Sequence, residues 1–152
     1  MKIISTFFLL LIPLISIADE IAKCGFEKGY SYYPFHGVVS KDKSGWRKDA
    51  VNGNKLTVTK VGKNWDILFT DAGGLGVHSA KQDGAEIFPV RRSSDDLAII
   101  VILPASTEIY TFTKTLDKKF EYSHLISKGE GLKKSSSMVG VCDYINFEFD
   151  IN

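Results

Sequence analysis

Three turn signals, each flanked by short runs rich in β-branched and aromatic residues, restrict this chain more than any other feature of it. From residue 55 onward these runs alternate with turn residues at a spacing that predicts a meander of strands. The clearest hairpin sets Lys55–Lys60 against Trp65–Phe69. A two-residue turn at Gly62-Lys63, with glycine first, places Val58 opposite Ile67 and Leu56 opposite Phe69, so one face is apolar. A second hairpin is expected at Asp83-Gly84, a dipeptide suited to positive backbone angles, pairing Ala80 with Ile87 and Lys81 with Glu86. A third joins Glu108–Phe112 to Phe120–His124 around Leu116-Asp117-Lys118. A three-residue loop there sets Phe112 opposite Tyr122 and Tyr110 opposite His124, giving a continuous aromatic face.

Between the hairpins, Leu97–Leu103 is apolar throughout and stopped by Pro104. Its β-branched content favours a central strand over a buried helix. A last strand, about Met138 to Phe149, carries Cys142, and the chain beyond residue 18 contains no convincing amphipathic helix. The expectation is therefore an all-β fold of about eight largely antiparallel strands. A small up-and-down barrel is favoured because closure leaves no free edges, with a β-sandwich as the alternative.

The two ends of the chain support closure. Residues 1–18 have the layout of a secretory signal peptide: Lys2, an apolar run from Ile3 to Ile17, then Ser16-Ile17-Ala18. The run is interrupted by Ser5, Thr6, Pro13 and Ser16, and a membrane span needs about 20 predominantly apolar residues. Cleavage after Ala18 would leave a single exported β domain, 19–152, periplasmic or extracellular, with no membrane span. Cys24 and Cys142 are the two cysteines of the chain, and in an oxidising compartment a disulfide between them is the default reading. A barrel brings its first and last strands together, which is where such a bridge would form.

Charge narrows the partners. Loss of residues 1–18 removes Lys2 and no acid, leaving 18 basic and 18 acidic residues. Nucleic-acid binding draws on a surplus of Lys and Arg that displaces counterions, so no nucleic-acid partner is expected. The clusters Lys41-Asp42-Lys43, Arg91-Arg92 and Lys133-Lys134 read as solvated surface.

Motifs for chemistry are sparse. Asp71-Ala72-Gly73-Gly74-Leu75-Gly76 lacks the Lys-Ser/Thr and the helix of a phosphate loop and reads as a turn. His36, His78 and His124 are widely separated, with no metal-binding spacing, so neither a metal nor a cofactor is expected. No Gly-x-Ser-x-Gly frames a nucleophile, and Asp95-Asp96 falls in a loop where both acids stay ionised. The chain is accordingly not expected to be an enzyme. The least ordinary segment is Tyr30-Ser31-Tyr32-Tyr33-Pro34-Phe35, followed by Trp46. Tyr30, Tyr32, Tyr33, Phe35 and Trp46 either close the end of the fold or present an aromatic platform for a sugar, an apolar molecule or a protein.

An exported eight-stranded barrel with its ends tied by a disulfide resembles the calycin group, which includes the lipocalins. Their Gly-x-Trp mark is shortened here to Gly45-Trp46, so the resemblance extends to architecture alone. Ser127-Lys128-Gly129-Glu130 is faintly similar to part of the periplasmic lysozyme inhibitors of the membrane-bound or C-type class. The functional expectation is a non-catalytic binding protein for a small apolar or sugar-like ligand. The alternative is an interaction module, such as an inhibitor of an exported hydrolase, using a loop near Ala72–Gly76 or Lys128–Lys134; hydrolysis without a motif is a third reading. A closed cavity of several hundred cubic ångströms would favour the first, and a filled interior with a protruding loop the second.

Overall fold

The computed structural model describes residues 18–70 and 76–149. The expected signal peptide, apart from Ala18, and most of the Asp71–Gly76 turn lie outside them. Nine strands are present among the described residues: β1 (Asp19–Tyr33), β2 (Gly45–Val61), β3 (Asn64–Thr70), β4 (Val77–Ser79), β5 (Glu86–Arg92), β6 (Asp96–Ile102), β7 (Ser106–Lys114), β8 (Phe120–Lys128) and β9 (Lys134–Ile145). A single 3₁₀ turn, Lys41–Lys43, is the described helical element. All nine strands form one antiparallel sheet in the order β4-β3-β2-β1-β9-β8-β7-β6-β5, curled into a half-barrel. The all-β, barrel-like expectation therefore holds, with one sheet in place of the two of a sandwich.

The curl follows from how the ends meet. β1 pairs with β9, and Cys24 stands opposite Cys142, where the two form the disulfide. The chain thus runs as two arms, β1 to β4 and β5 to β9, zipped at the first and last strands. On the open side β3 comes up against β5. Backbone bonds from Ala80 N to Ile67 O and from Ala85 N to Ala80 O carry the chain across that seam. Residues from both arms, among them Ile21, Leu56, Val58, Ile67, Leu97, Ile99, Phe112 and Tyr122, fill one continuous core. Each large side chain of this kind contributes about 1.5–3 kcal/mol when fully buried.

Two hairpins have the register their turns imply. Val58 pairs with Ile67 and Leu56 with Phe69 around Gly62, whose φ of +59° is open to glycine at no steric cost. Phe112 pairs with Tyr122 and Tyr110 with His124. Thr115 N bonds Lys119 O around the three-residue loop, with Lys118 left-handed at φ +64°.

The Asp83-Gly84 hairpin does not form. β4 pairs with β3 and β5 with β6, and Lys81 reaches Asn64 Oδ1 at 3.1 Å instead of Glu86. The cause is Asp66. Its Oδ2 accepts from Ser79 Oγ at 2.6 Å and its Oδ1 from Lys81 N at 3.1 Å, while Ser79 Oγ accepts from Gln82 N. These bonds wind residues 79–84 into a corner, and side-chain bonds of this type compete directly with strand pairing.

Leu97–Leu103 is a strand, β6, with Leu97, Ala98, Ile99 and Val101 buried. It lies next to the edge strand β5 and is not central in the pairing order. The largest departure concerns the N-terminal segment. Asp19–Tyr33 and Gly45–Val61 are the two longest strands of the sheet, and both are interrupted by bulges.

Candidate binding site in the half-barrel

The bulges build the site. Between Gly25 and Glu27, β1 carries Phe26 as an extra residue relative to β9, where the partners Val141 and Gly140 are adjacent. Phe26 takes φ +37°. An inserted residue reverses the in-out alternation beyond it. Phe26 accordingly turns out to solvent, and Glu27, which unbroken alternation from Cys24 would expose, is 4% exposed. On the facing stretch of β2, the partners of Gly25 and Glu27 are Lys55 and Val51. The three residues between them, Asn52, Gly53 and Asn54, bulge in turn, with Gly53 at φ +76°. Glu27 and Asn54 both line the interior cavity as a result.

His124 on β8 occupies the centre of the buried polar group. Its Nδ1 lies 3.0 Å from Glu27 Oε2 and its Nε2 3.3 Å from Glu108 Oε2, on β1 and β7. The ring stacks on Tyr110 with centroids 4.1 Å apart, as the hairpin register implies. Tyr110 donates to Glu108 Oε2 at 2.6 Å, Ser106 Oγ to Glu108 Oε1 at 3.1 Å, and Tyr122 to Glu27 Oε2 at 3.2 Å.

Burial opposes a charge on His124, but bonds to Glu108 and Glu27 and the pull of both carboxylates outweigh it. The imidazole therefore holds its proton above its usual range. Burial would push Glu108 up; the bonds from His124, Tyr110 and Ser106, with the imidazolium charge, win and keep it below the usual carboxylate range. Burial first, then the carboxylate charges, raise both phenols, Tyr110 and Tyr122, so they remain donors. The group is two carboxylates around one imidazolium, and no Lys or Arg among the described residues pairs with either acid.

Above this polar floor is a cavity of about 230 Å³. Its walls are apolar, from Leu56, Ile67, Phe69, Val101 and Leu103, and Glu27, Asn54, Glu108, Tyr110 and His124 supply its polar side. At a water's share of about 30 Å³, that is room for roughly eight waters. Among the described residues no cluster of three or more His, Cys, Asp and Glu is arranged to hold a metal ion. In the central group, both imidazole nitrogens are already turned to the acids. His36 and His78 lie on the surface, His78 stacked on Phe69.

The aromatic residues singled out in the sequence lie apart from this cavity. Tyr30, Tyr32, Phe35 and Trp46 are exposed, and Tyr32 pairs with Trp46 across the β1–β2 ladder, centroids 5.6 Å apart. Tyr33 is half-buried and donates to Asp49 Oδ2 at 2.9 Å. Ser31 at 2.6 Å and Lys134 at 3.2 Å share that same oxygen. None of these five residues lines the cavity. Sequence reasoning missed Glu27, Asn54 and Glu108. Glu108 had a signal, since it shares a strand face with Tyr110 and Phe112.

Comparison of the chain with protein-family models, with curated proteins and with solved structures gives no match. The site's chemistry is accordingly read from its own residues.

Proposed function

We propose that this protein is a non-catalytic, exported binding protein that holds a small molecule in the interior of the half-barrel. The observation that carries the reading is the cavity of about 230 Å³, with a buried polar floor and apolar walls drawn in part from the core. A few convergent polar groups in an apolar pocket are the usual form of a small-ligand site. The polar group is built to be held still. Both nitrogens of His124 are engaged by the two acids and its proton is held more tightly than usual, so neither nitrogen is turned to a substrate as a base would be. Export fits the disulfide, and no helix among the described residues is long and apolar enough to cross a membrane.

Native mass spectrometry of protein recovered undenatured from its own cells tests this reading. A small-molecule adduct that denaturation releases supports it, and a bare polypeptide mass with a co-purified protein overturns it. The second reading, interaction with an exported protein, draws on the exposed Tyr32–Trp46 pair. Under it, Trp46→Ser would abolish that co-purification and leave the melting curve unchanged.

A further inference from the structure

We propose that the cavity takes a small amphipathic amine, with its ammonium head between Glu27 and Asn54 and its apolar body against Leu56, Ile67, Phe69 and Val101. This rests on the reading of the interior as a binding cavity and assigns the chemical class of its occupant. Three observations converge. First, the buried group is short of positive charge: Glu27 and Glu108 share the single cation His124, and no Lys or Arg among the described residues makes up the difference. A buried charge without a partner is costly, so an incoming cation is favoured over a neutral or anionic head. Second, Asn54 lines the same cavity; its side-chain amide bonds Tyr122, and its Oδ1 is buried with no hydrogen-bond partner. A buried acceptor left without a donor is rare in a folded protein, and a ligand N–H satisfies it. Third, both Glu27 and Asn54 are there because of bulges, on β1 at Phe26 and on β2 at Asn52–Asn54. Phe26 adopts a positive φ that is a genuine outlier for a bulky residue, to place Glu27 inward. Bulges of this kind are found where a side chain is re-aimed next to a functional site.

The donors already present leave the remainder to the ligand. Tyr110, Ser106 and His124 occupy Glu108. Glu27 receives Tyr122 and His124 on Oε2 alone. Its second oxygen is the natural partner of an ammonium whose other N–H meets Asn54.

The test uses three probes of one shape on the full chain, by isothermal calorimetry at pH 7: phenethylamine, 2-phenylethanol and 3-phenylpropionate. The expected result is binding of the amine at least about tenfold tighter than the alcohol, with no binding of the acid, since charge-assisted bonds are roughly twice as strong as neutral ones. Asn54→Leu, which removes the unpartnered Oδ1 together with the amide's bond to Tyr122 at similar size, should fold and lose most of the amine preference. Glu27→Gln should lose it also. Equal or tighter binding of the alcohol or acid overturns the amine assignment and leaves the cavity reading standing. Absence of binding by all three overturns both. An amine preference that survives Asn54→Leu and Glu27→Gln places the head elsewhere and contradicts the proposal.

Discussion

Glu27→Gln is the most informative single change to the fold, because its cost depends on pH in a way the geometry dictates. Glu27 is 4% exposed and accepts from His124 Nδ1 at 3.0 Å and from Tyr122 Oη at 3.2 Å. Glutamine keeps the volume, removes the charge and can satisfy one of the two donors through its carbonyl. While His124 is protonated, the loss is one charge-assisted bond plus part of a buried ion pair, about 2–4 kcal/mol. The imidazole pKa is raised in the folded state, so the native protein binds the proton more tightly than the unfolded chain does. The stability gained is fully present below the unfolded value near 6.5 and is lost as pH rises through the folded value. The slope in that window is at most about 1.4 kcal/mol per pH unit. Glu108 acts in the opposite sense: its contribution is present above its ordinary 4.5 and lost as pH falls below it. Urea denaturation of wild type and variant at pH 5.5 and at pH 9 reads both effects. Wild type should be most stable near pH 5.5, and the deficit of Glu27→Gln should shrink markedly at pH 9. A deficit equal at both pH values, or His124→Gln with the same pH profile as wild type, would refute an imidazolium held between two carboxylates.

Further outcomes are expected elsewhere in the sheet. Replacing Cys24 and Cys142 by serine opens a bridge of sequence separation 118 and should cost up to about 5 kcal/mol on the chain-entropy model, read as a fall in the urea midpoint. A Cβ at Gly140 would come within 2.2 Å of the Tyr122 ring, which is 1% exposed. Gly140→Ala should therefore destabilise by about 1–3 kcal/mol, and Tyr122→Leu should absorb most of that cost in a double-mutant cycle. Lys118 is exposed at φ +64° in the β7–β8 loop. Lys118→Gly should stabilise by about 0.5–1 kcal/mol, the left-handed strain relieved less the added unfolded-state freedom, and a lower melting temperature would argue against that loop geometry.

Where pairing is decided by a short turn and unbroken alternation, the sequence was sufficient: Gly62-Lys63 and Leu116–Lys118 each imply the register found. The meeting of the two cysteines followed from closure of the meander. The failures have specific causes. At Asp83-Gly84 the local turn preference loses to Asp66, a residue 17 positions earlier whose carboxylate bonds only in the folded state. β1 and the first half of β2 escaped notice because bulges at Phe26 and Asn52–Asn54 break the two-residue period on which strand recognition depends. Those same bulges carry the candidate site. Glu27 is inward only because Phe26 is an extra residue, which no pattern of polarity reveals. The aromatic segment attracted attention by composition, and in the fold it is an exposed surface pair with Tyr33 tied to Asp49.

The central claim is that a protonated His124 floors a cavity that accepts a small molecule, and the imidazole nitrogen NMR signals test it most directly. In the free protein at pH 6, below the ordinary imidazole value, both ring nitrogens of His124 should carry protons. Adding the tighter-binding of phenethylamine and 2-phenylethanol should move the His124 signals and leave those of surface His36 unchanged. A neutral His124 ring at pH 6, or probe addition that leaves its signals where they were, would contradict the account.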